Sequence, residues 1–250
     1  FTSRKGFYHI DDYEFFTEVY CVCPFTCKFM NDHFGYEKFK YFPYIFTNRS
    51  VTEYGKYDAD CSWMGSIHGQ DHVSAIEVIS KFKYKFMTSQ RNTWMHHPYE
   101  YNKPTHVFLP NDEKLKQLSK CRSSLSFNMI YMSPASKKND FKAFELFDQG
   151  IMPQFKVRTF EIASCKSLLL VKKDPWDLVE DFFEPEKEFI YFENFQELED
   201  IIHDVSKNFE KYQPIIDAAF EKCKNYTVES VLPYIKQDDK NLITWRNKHV

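Results

Sequence analysis

The chain has 250 residues, 43% of them hydrophobic and 28% charged. That composition folds rather than staying disordered, and a chain of this length buries roughly 70% of its unfolded surface in one large domain or two small ones. Lys and Arg number 33 against 36 Asp and Glu, a net charge of −3, which excludes nucleic-acid binding by bulk charge, and the longest aliphatic run, Leu168 to Val171, is far too short to cross a bilayer.

Only 6 glycines stand beside 26 Phe and 16 Tyr. The bias suits an A+T-rich genome: a large virus, a protist or a low-G+C bacterium. Among the 7 cysteines, Cys21, Cys23 and Cys27 cluster, but C-x-C-x3-C without a second half is a poor zinc signature. Buried or free thiols in a reducing compartment are expected. No basic and apolar leader pattern is seen, so the expected location is the cytoplasm, or the host cytoplasm for a virus-encoded protein. Asn48-Arg49-Ser50 and Asn225-Tyr226-Thr227 fit the glycosylation triplet, which also arises by chance.

In chain order, Glu18 to Pro24 reads as a short buried strand. Thr26 to Phe34 reads as a helix closed by Gly35. Phe39 to Phe46 is aromatic and extended, and the polar stretch Asn48 to Asp60 is the linker candidate. A regular alternation follows. Strands are expected at Cys61–Met64, Tyr84–Met87, Thr105–Leu109, Leu125–Tyr131, Leu168–Val171 and Phe189–Phe192. Helices are expected at His72–Phe82, at Asp112–Lys120 with Asn111 as N-cap, near Phe141–Phe147, and at Lys156–Cys165. A short one opens at Pro175. Two apolar stripes, Phe195 to Phe209 and Ile215 to Cys223, complete the set. Strands alternating with helices predict an α/β fold with a parallel sheet covered on both faces.

Ligands of open parallel sheets bind beyond the carboxyl ends of the strands, which leaves three candidate segments. Gly65-Ser66-Ile67-His68-Gly69 places two glycines in a strand-to-helix turn. The backbone can approach a ligand there, and the following helix start favours phosphate. A tight turn without ligand reads equally well. Lys156 to Glu161 puts Lys156 and Arg158 at a helix start, where a cation opposes the dipole unless an anion offsets it. The alternative is an exposed Arg158–Glu161 ion pair. Gly6-Phe7-Tyr8-His9-Ile10-Asp11-Asp12 offers adjacent acids after a short apolar stretch, for a base or a hydroxylated ligand, or simply a helix N-cap followed by an N1 acid. His96-His97 reads as a surface loop, since adjacent histidines point apart.

The run Val157-Arg158-Thr159-Phe160-Glu161-Ile162-Ala163 leads through Leu168–Val171 to Phe182-Phe183-Glu184-Pro185-Glu186-Lys187-Glu188. It resembles the nucleotide-sugar-binding half of GT-B glycosyltransferases, closest to the spore-maturation-type branch of group 1. The helix Glu197 to Ile202 and the late Asn225-Tyr226-Thr227 extend the likeness. Upstream, His9–Asp12, Tyr41-Phe42-Pro43 and Trp63-Met64-Gly65-Ser66 resemble the end of an N-terminal domain, the stretch before a hinge, and the start of a C-terminal domain.

The resemblance implies a GT-B-like α/β fold. A Rossmann-like parallel-sheet domain over 57–235 would follow a reduced or truncated acceptor-side domain over 1–56, with a tail at 236–250. It implies sugar transfer from a nucleoside-diphosphate sugar, expected to be UDP-linked, to a hydroxyl of a glycan acceptor, by a hexosyl- or pentosyltransferase. No metal and no cofactor are expected, and no nucleic-acid partner. The donor would meet Gly65, Ser66, His68, Lys156, Arg158, Thr159 and Glu161, with Glu161 on the ribose. Arg158 would act on the leaving diphosphate, and Asp11 or Asp12 would serve as base if the reaction inverts. The alternatives are a non-catalytic nucleotide- or glycan-binding module and a nucleotide-sugar epimerase. One departure is plain: where a glycine usually follows the R-x-F-E helix, Ser164-Cys165-Lys166 stands.

Overall fold

The four-residue apolar run at Leu168–Val171 predicts a strand covered on both faces, and it lies near the centre of the fold. The computed structural model describes residues 16–21, 24–35, 37–42, 53–89, 104–131 and 151–230. The first unit is small. Strand β1 (Val19–Cys21) runs parallel to β2 (Phe39–Tyr41), joined by helix α1 (Pro24–Phe34). Gly35, at φ +68°, ends that helix in the left-handed turn expected of it. The side chain of Asn31 bonds both the N–H and the C=O of Phe39, at 2.9 Å each, which fixes α1 against β2.

The main sheet has six parallel strands: β3 (Ala59–Met64), β4 (Tyr84–Thr88), β5 (His106–Val107), β6 (Cys121–Ser126), β9 (Leu168–Lys172) and β10 (Ile190–Phe192). A separate antiparallel pair, β7 (Met129–Tyr131) with β8 (Ile151–Pro153), lies between β6 and β9 in the chain. The six strands are ordered β10-β9-β6-β3-β4-β5. The winding therefore starts at β3, runs to one edge, returns to β6 beside β3, and runs to the other edge. This is the doubly wound order, and its topological switch point lies between β3 and β6.

The period-2 alternation of strands sorts the core into two layers. Leu168 and Leu170 face α2 (Gln70–Ile79) and α5 (Phe195–Lys207), among Trp63, Ile76, Phe127 and Ile202. Leu169 and Val171 face α3 (Asn111–Leu118) and α4 (Arg158–Ser164), among Leu115, Phe160 and Ala163. Helix α6 (Gln213–Cys223) sends Ile216 into the first layer and Ala219 and Cys223 into the second.

Several expectations need correction. Helix α3 starts at Asn111 with Pro110 in the cap position, so Asn111 is not the N-cap. Leu125–Tyr131 is not one strand: β6 ends at Ser126, and β7 resumes in a different sheet. Strand β6 also starts earlier than its apolar residues suggest. Its Cys-Arg-Ser-Ser opening carries buried serines that bond one another across the sheet. Ser62 Oγ and Ser124 Oγ are 2.6 Å apart, Ser124 Oγ and Ser167 Oγ 2.9 Å, and Ser126 Oγ and Thr159 Oγ1 3.0 Å. Satisfied hydroxyls can replace apolar contacts in an interior. Residues 151–153, between two of the expected helices, form β8. Past Pro175, a 3-10 turn forms at Leu178–Asp181, preceded by Asp177 in the left-handed region. The expected helix near Phe141–Phe147 lies outside the described residues.

No disulfide links the six described cysteines, Cys21, Cys27, Cys61, Cys121, Cys165 and Cys223. No helix among the described residues is long and apolar enough to cross a membrane.

Ser124 stands between two other buried hydroxyls, so Ser124→Ala leaves both short of a partner. A loss of about 1–3 kcal/mol is expected, read by urea denaturation at an unchanged m-value.

Candidate functional site

The switch point sets the site. Strand β3 ends at Met64, and Gly65 follows at φ +137°, a conformation that L side chains rarely adopt. Strand β6 ends at Ser126, next to β3, and Phe127 and Asn128 follow. The chain then leaves through β7, returns through β8, and crosses back to the same crevice in the turn before α4.

Asn128 ties that turn down. Its Oδ1 accepts the backbone N–H of Lys156 at 2.8 Å and the hydroxyl of Thr159 at 3.2 Å, and its own carbonyl accepts the N–H of Gln154 at 3.0 Å. Thr159 is fully buried, with its hydroxyl engaged by Ser126 and Asn128. Expected on the donor, it instead holds the base of α4 to the sheet.

Arg158 emerges from this anchored turn. Its guanidinium carbon lies 5.3 Å from the centre of the Trp63 ring. A Cβ placed on Gly65 would collide with Arg158 Nη2, so any larger residue there displaces the guanidinium from this seat. Among the described residues the guanidinium has no ion-pair partner, and its buried Nε has no hydrogen-bond partner. Burial lowers its pKa to about 10, with Glu161 opposing the fall, so it stays charged at neutral pH. Lys156, whose ammonium donates to Gln154 Oε1, is lowered to about 8, first by burial and then by the Arg158 charge. Two half-buried cations therefore sit together without a carboxylate between them.

The Gly65–Gly69 loop is closed from behind by His72, in the first turn of α2. His72 Nδ1 accepts the backbone N–H of His68 at 3.0 Å. That places the proton of the neutral ring on Nε2. Its pKa falls to about 3, by burial first and then by Arg158, His68 and Lys156. His72 is thus a neutral clamp between cations, packed on Trp63 and Phe127 at centroid distances of 4.7 and 5.1 Å. His68 itself is exposed.

Glu161 does not pair with Arg158. Its Oε1 accepts from Lys114 Nζ of α3 at 2.7 Å, both side chains being largely buried. The i,i+3 spacing therefore separates the two, Arg158 toward Gly65 and Glu161 toward α3. Gly65, Ser66, Lys156 and Arg158 are brought together at the switch point, and Glu161 stands one turn of α4 away. Asp11, Asp12, His9, His96 and His97 lie outside the described residues. Sequence reasoning missed Asn128 and the clamp role of His72. The available signal for Asn128 was one amide inside the apolar run Leu125–Tyr131.

The R-x-F-E helix ends without its usual glycine. Lys166 takes the left-handed position at φ 54°, and the N–H groups of Lys166 and Ser167 close back on the carbonyls of Ala163 and Ile162. The Phe182–Glu188 segment is a turn held by its own last residue. Glu188 accepts the N–H of Glu184 at 2.6 Å and pairs with Lys222 of α6 at 2.9 Å.

The profile of a family described as "Glycosyl transferase-like" matches residues 66–235, more than half of the chain. The chain belongs to this glycosyl transferase-like family. Solved structures agree on the fold, which is that of GT-B glycosyltransferases. TarM of S. aureus is 14% identical at a TM-score of 0.56, over 92% of this chain and 43% of its own. HepE of Anabaena, in complex with UDP-glucose, is 12% identical at 0.58, over 92% of this chain and 65% of its own. The sucrose-phosphate synthase of Thermosynechococcus elongatus is 10% identical at 0.53, over 90% of this chain and 58% of its own. The chain thus spans less than two thirds of each. No curated protein matches its sequence.

Gly65→Ala tests the arginine seat. The added methyl meets Arg158 in a backbone conformation already strained for alanine. The guanidinium must shift from its seat over this residue, and affinity for inorganic pyrophosphate is expected to fall about tenfold or more, the equivalent of roughly one charge-assisted hydrogen bond, as read by calorimetry.

Proposed function

We propose that this glycosyl transferase-like chain transfers a sugar from a nucleoside-diphosphate sugar, of the UDP-linked kind, to a hydroxyl of a glycan acceptor without a divalent metal. The observation that carries the reading is the Arg158 guanidinium, half-buried over Gly65 beside Lys156 and without an anionic partner among the described residues. A buried cation is ordinarily paired. A diphosphate at the end of β3 supplies the missing charge, and the doubly wound sheet puts ligands at that edge. The UDP-glucose complex of HepE, a protein of the same fold, lends support.

As the bond between the anomeric carbon and the diphosphate oxygen breaks, negative charge gathers on the leaving group. Arg158 and Lys156 stabilise that charge more in the transition state than in the ground state, which is what accelerates the step. They take the place a divalent ion would occupy. The acceptor oxygen forms the new bond to the anomeric carbon, and its proton passes to a base. In an inverting enzyme we assign that base to Asp11 or Asp12. Glu161, held by Lys114 on one oxygen, presents the other to the ribose hydroxyls. Ser66 and the backbone of the His72-clamped loop contact the phosphates, with His68 at the exposed rim.

Incubation with UDP-glucose and related donors tests the reading. Slow release of UDP is the expected outcome. Saturable binding of an unaltered donor indicates a binding module instead, and an isomerised sugar an epimerase. In a transferase assay Arg158→Ala is expected to lower kcat/KM by about 100- to 1000-fold, while the unfolding midpoint moves little, because the guanidinium gives up its contact with the Trp63 ring but no ion pair among the described residues.

Lys156 gives the pH dependence. Its free-state pKa is about 8, and a bound diphosphate raises it. UDP affinity therefore declines above pH 8, as the ammonium of the free protein loses its proton. Stability without ligand moves the other way. The folded-state pKa lies below the ordinary lysine value, so unfolding takes up a proton above pH 8, and stability rises from there toward pH 10.5. Titrations of UDP binding and of the unfolding midpoint, compared with Lys156→Met, check both slopes.

A further inference from the structure

Arg158 Nε and Asn128 Nδ2 are buried hydrogen-bond donors at the switch point that lack hydrogen-bond partners among the described residues. The orientation of the Asn128 amide is not arbitrary. Its Oδ1 faces two donors, the Lys156 N–H and the Thr159 hydroxyl, so a flipped amide would set N–H against N–H. The unpaired group is therefore the amide nitrogen, on a residue with no solvent exposure. An orphaned buried donor has given up its hydration for nothing, and native interiors rarely retain one without a ligand or water to meet it. Asn128 follows β6 and Arg158 lies over the residue that follows β3, so the two orphans flank the same crevice.

We propose that Asn128 is a donor-binding residue of this site, its Nδ2 donating to an oxygen of the nucleoside diphosphate when Arg158 turns from Trp63 onto the same group. The inference rests on the diphosphate reading above and adds a neutral ligand to its two cations. It also gives Asn128 two separable duties: Oδ1 positions the Lys156–Thr159 turn, and Nδ2 meets the substrate.

Asn128→Asp separates those duties. The aspartate keeps an acceptor for Lys156 and Thr159 but replaces the amide donor with a carboxylate oxygen that repels phosphate and pairs with the neighbouring cations. The expected result is an unfolding midpoint equal to or above that of the unaltered protein, with UDP and inorganic pyrophosphate each bound at least tenfold more weakly. Asn128→Ala removes both duties and is expected to lose stability and affinity together. UDP bound by Asn128→Asp within about threefold of the unaltered protein overturns the proposal, a ratio worth well under the 1.4 kcal/mol of a tenfold change. So does Asn128→Ala that is destabilised yet binds UDP normally, and so does Asn128→Asp whose affinity loss only follows a fallen midpoint. If the unaltered protein binds neither UDP nor pyrophosphate, the diphosphate reading itself fails and this inference falls with it. The Asn128→Asp comparison in a protein that does bind them tests Asn128 alone.

Discussion

An arginine kept charged and half-buried, with no anionic partner among the described residues, is the constraint on which this site depends. Burial takes Arg158 only down to about 10, so the protein bears the desolvation of a cation at all neutral pH values. Neighbouring groups respond to that charge. Burial first, and then the arginine's charge, lowers the proton affinity of Lys156 and makes His72 a poor base. An isolated cation of this kind weakens a fold unless something else holds its surroundings. The surroundings here are held by uncharged bonds: the serine seam between β3, β6 and the start of β9, the Asn128 grip on the turn before α4, and the His72 clamp on the Gly65–Gly69 loop. Scaffold and charge are thus supplied by different residues, and the charge remains available.

Helix α4 shows the same division along its length. Its first turn carries Arg158 toward the crevice. Its middle is fixed by the Lys114–Glu161 pair, which ties α4 to α3. Its last turn closes on Lys166, a left-handed residue where a glycine would cost nothing; for lysine the cost is about 1–2 kcal/mol. The side chain offsets it. Lys166 Nζ pairs with Asp217 at 3.1 Å and lies 4.6 Å from the Phe220 ring centre, while Tyr57 donates to its carbonyl at 3.1 Å. The segment just before β3 is thereby fastened to the far end of the helix that carries the arginine. A departure from the family pattern at this position alters how the helix is anchored and leaves its first turn untouched.

The parts of the fold that were legible in the sequence are those where apolar spacing alone decides. The run Leu168–Val171, the stripe along α5, and Gly35 closing α1 each answer to one physical signal, and each forms as expected. Strand β6 was illegible at its start because Ser123 and Ser124 look like surface, and their burial depends on partners distant in sequence: Asp60, Ser62 and Ser167. The break at Phe127-Asn128 was hidden inside an apolar run because a turn made by tertiary hydrogen bonds needs neither glycine nor proline. Thr159 looked like a ligand contact because it neighbours Arg158, yet adjacent residues on a helix point about 100° apart, and that rotation sends it into the sheet.

The same rotation explains why Arg158 and Glu161 could not be assigned from spacing. Three residues apart on a helix, they can meet as a pair or lean apart, and the choice lies with what each finds elsewhere. Glu161 finds Lys114, nearly buried, where a charged hydrogen bond is worth more than an exposed one. Arg158 finds the face of Trp63 and the bare backbone of Gly65. Once α3 has taken the carboxylate, no side chain among the described residues neutralises the arginine. The crevice is cationic because of a lysine on a neighbouring helix that does not itself reach it.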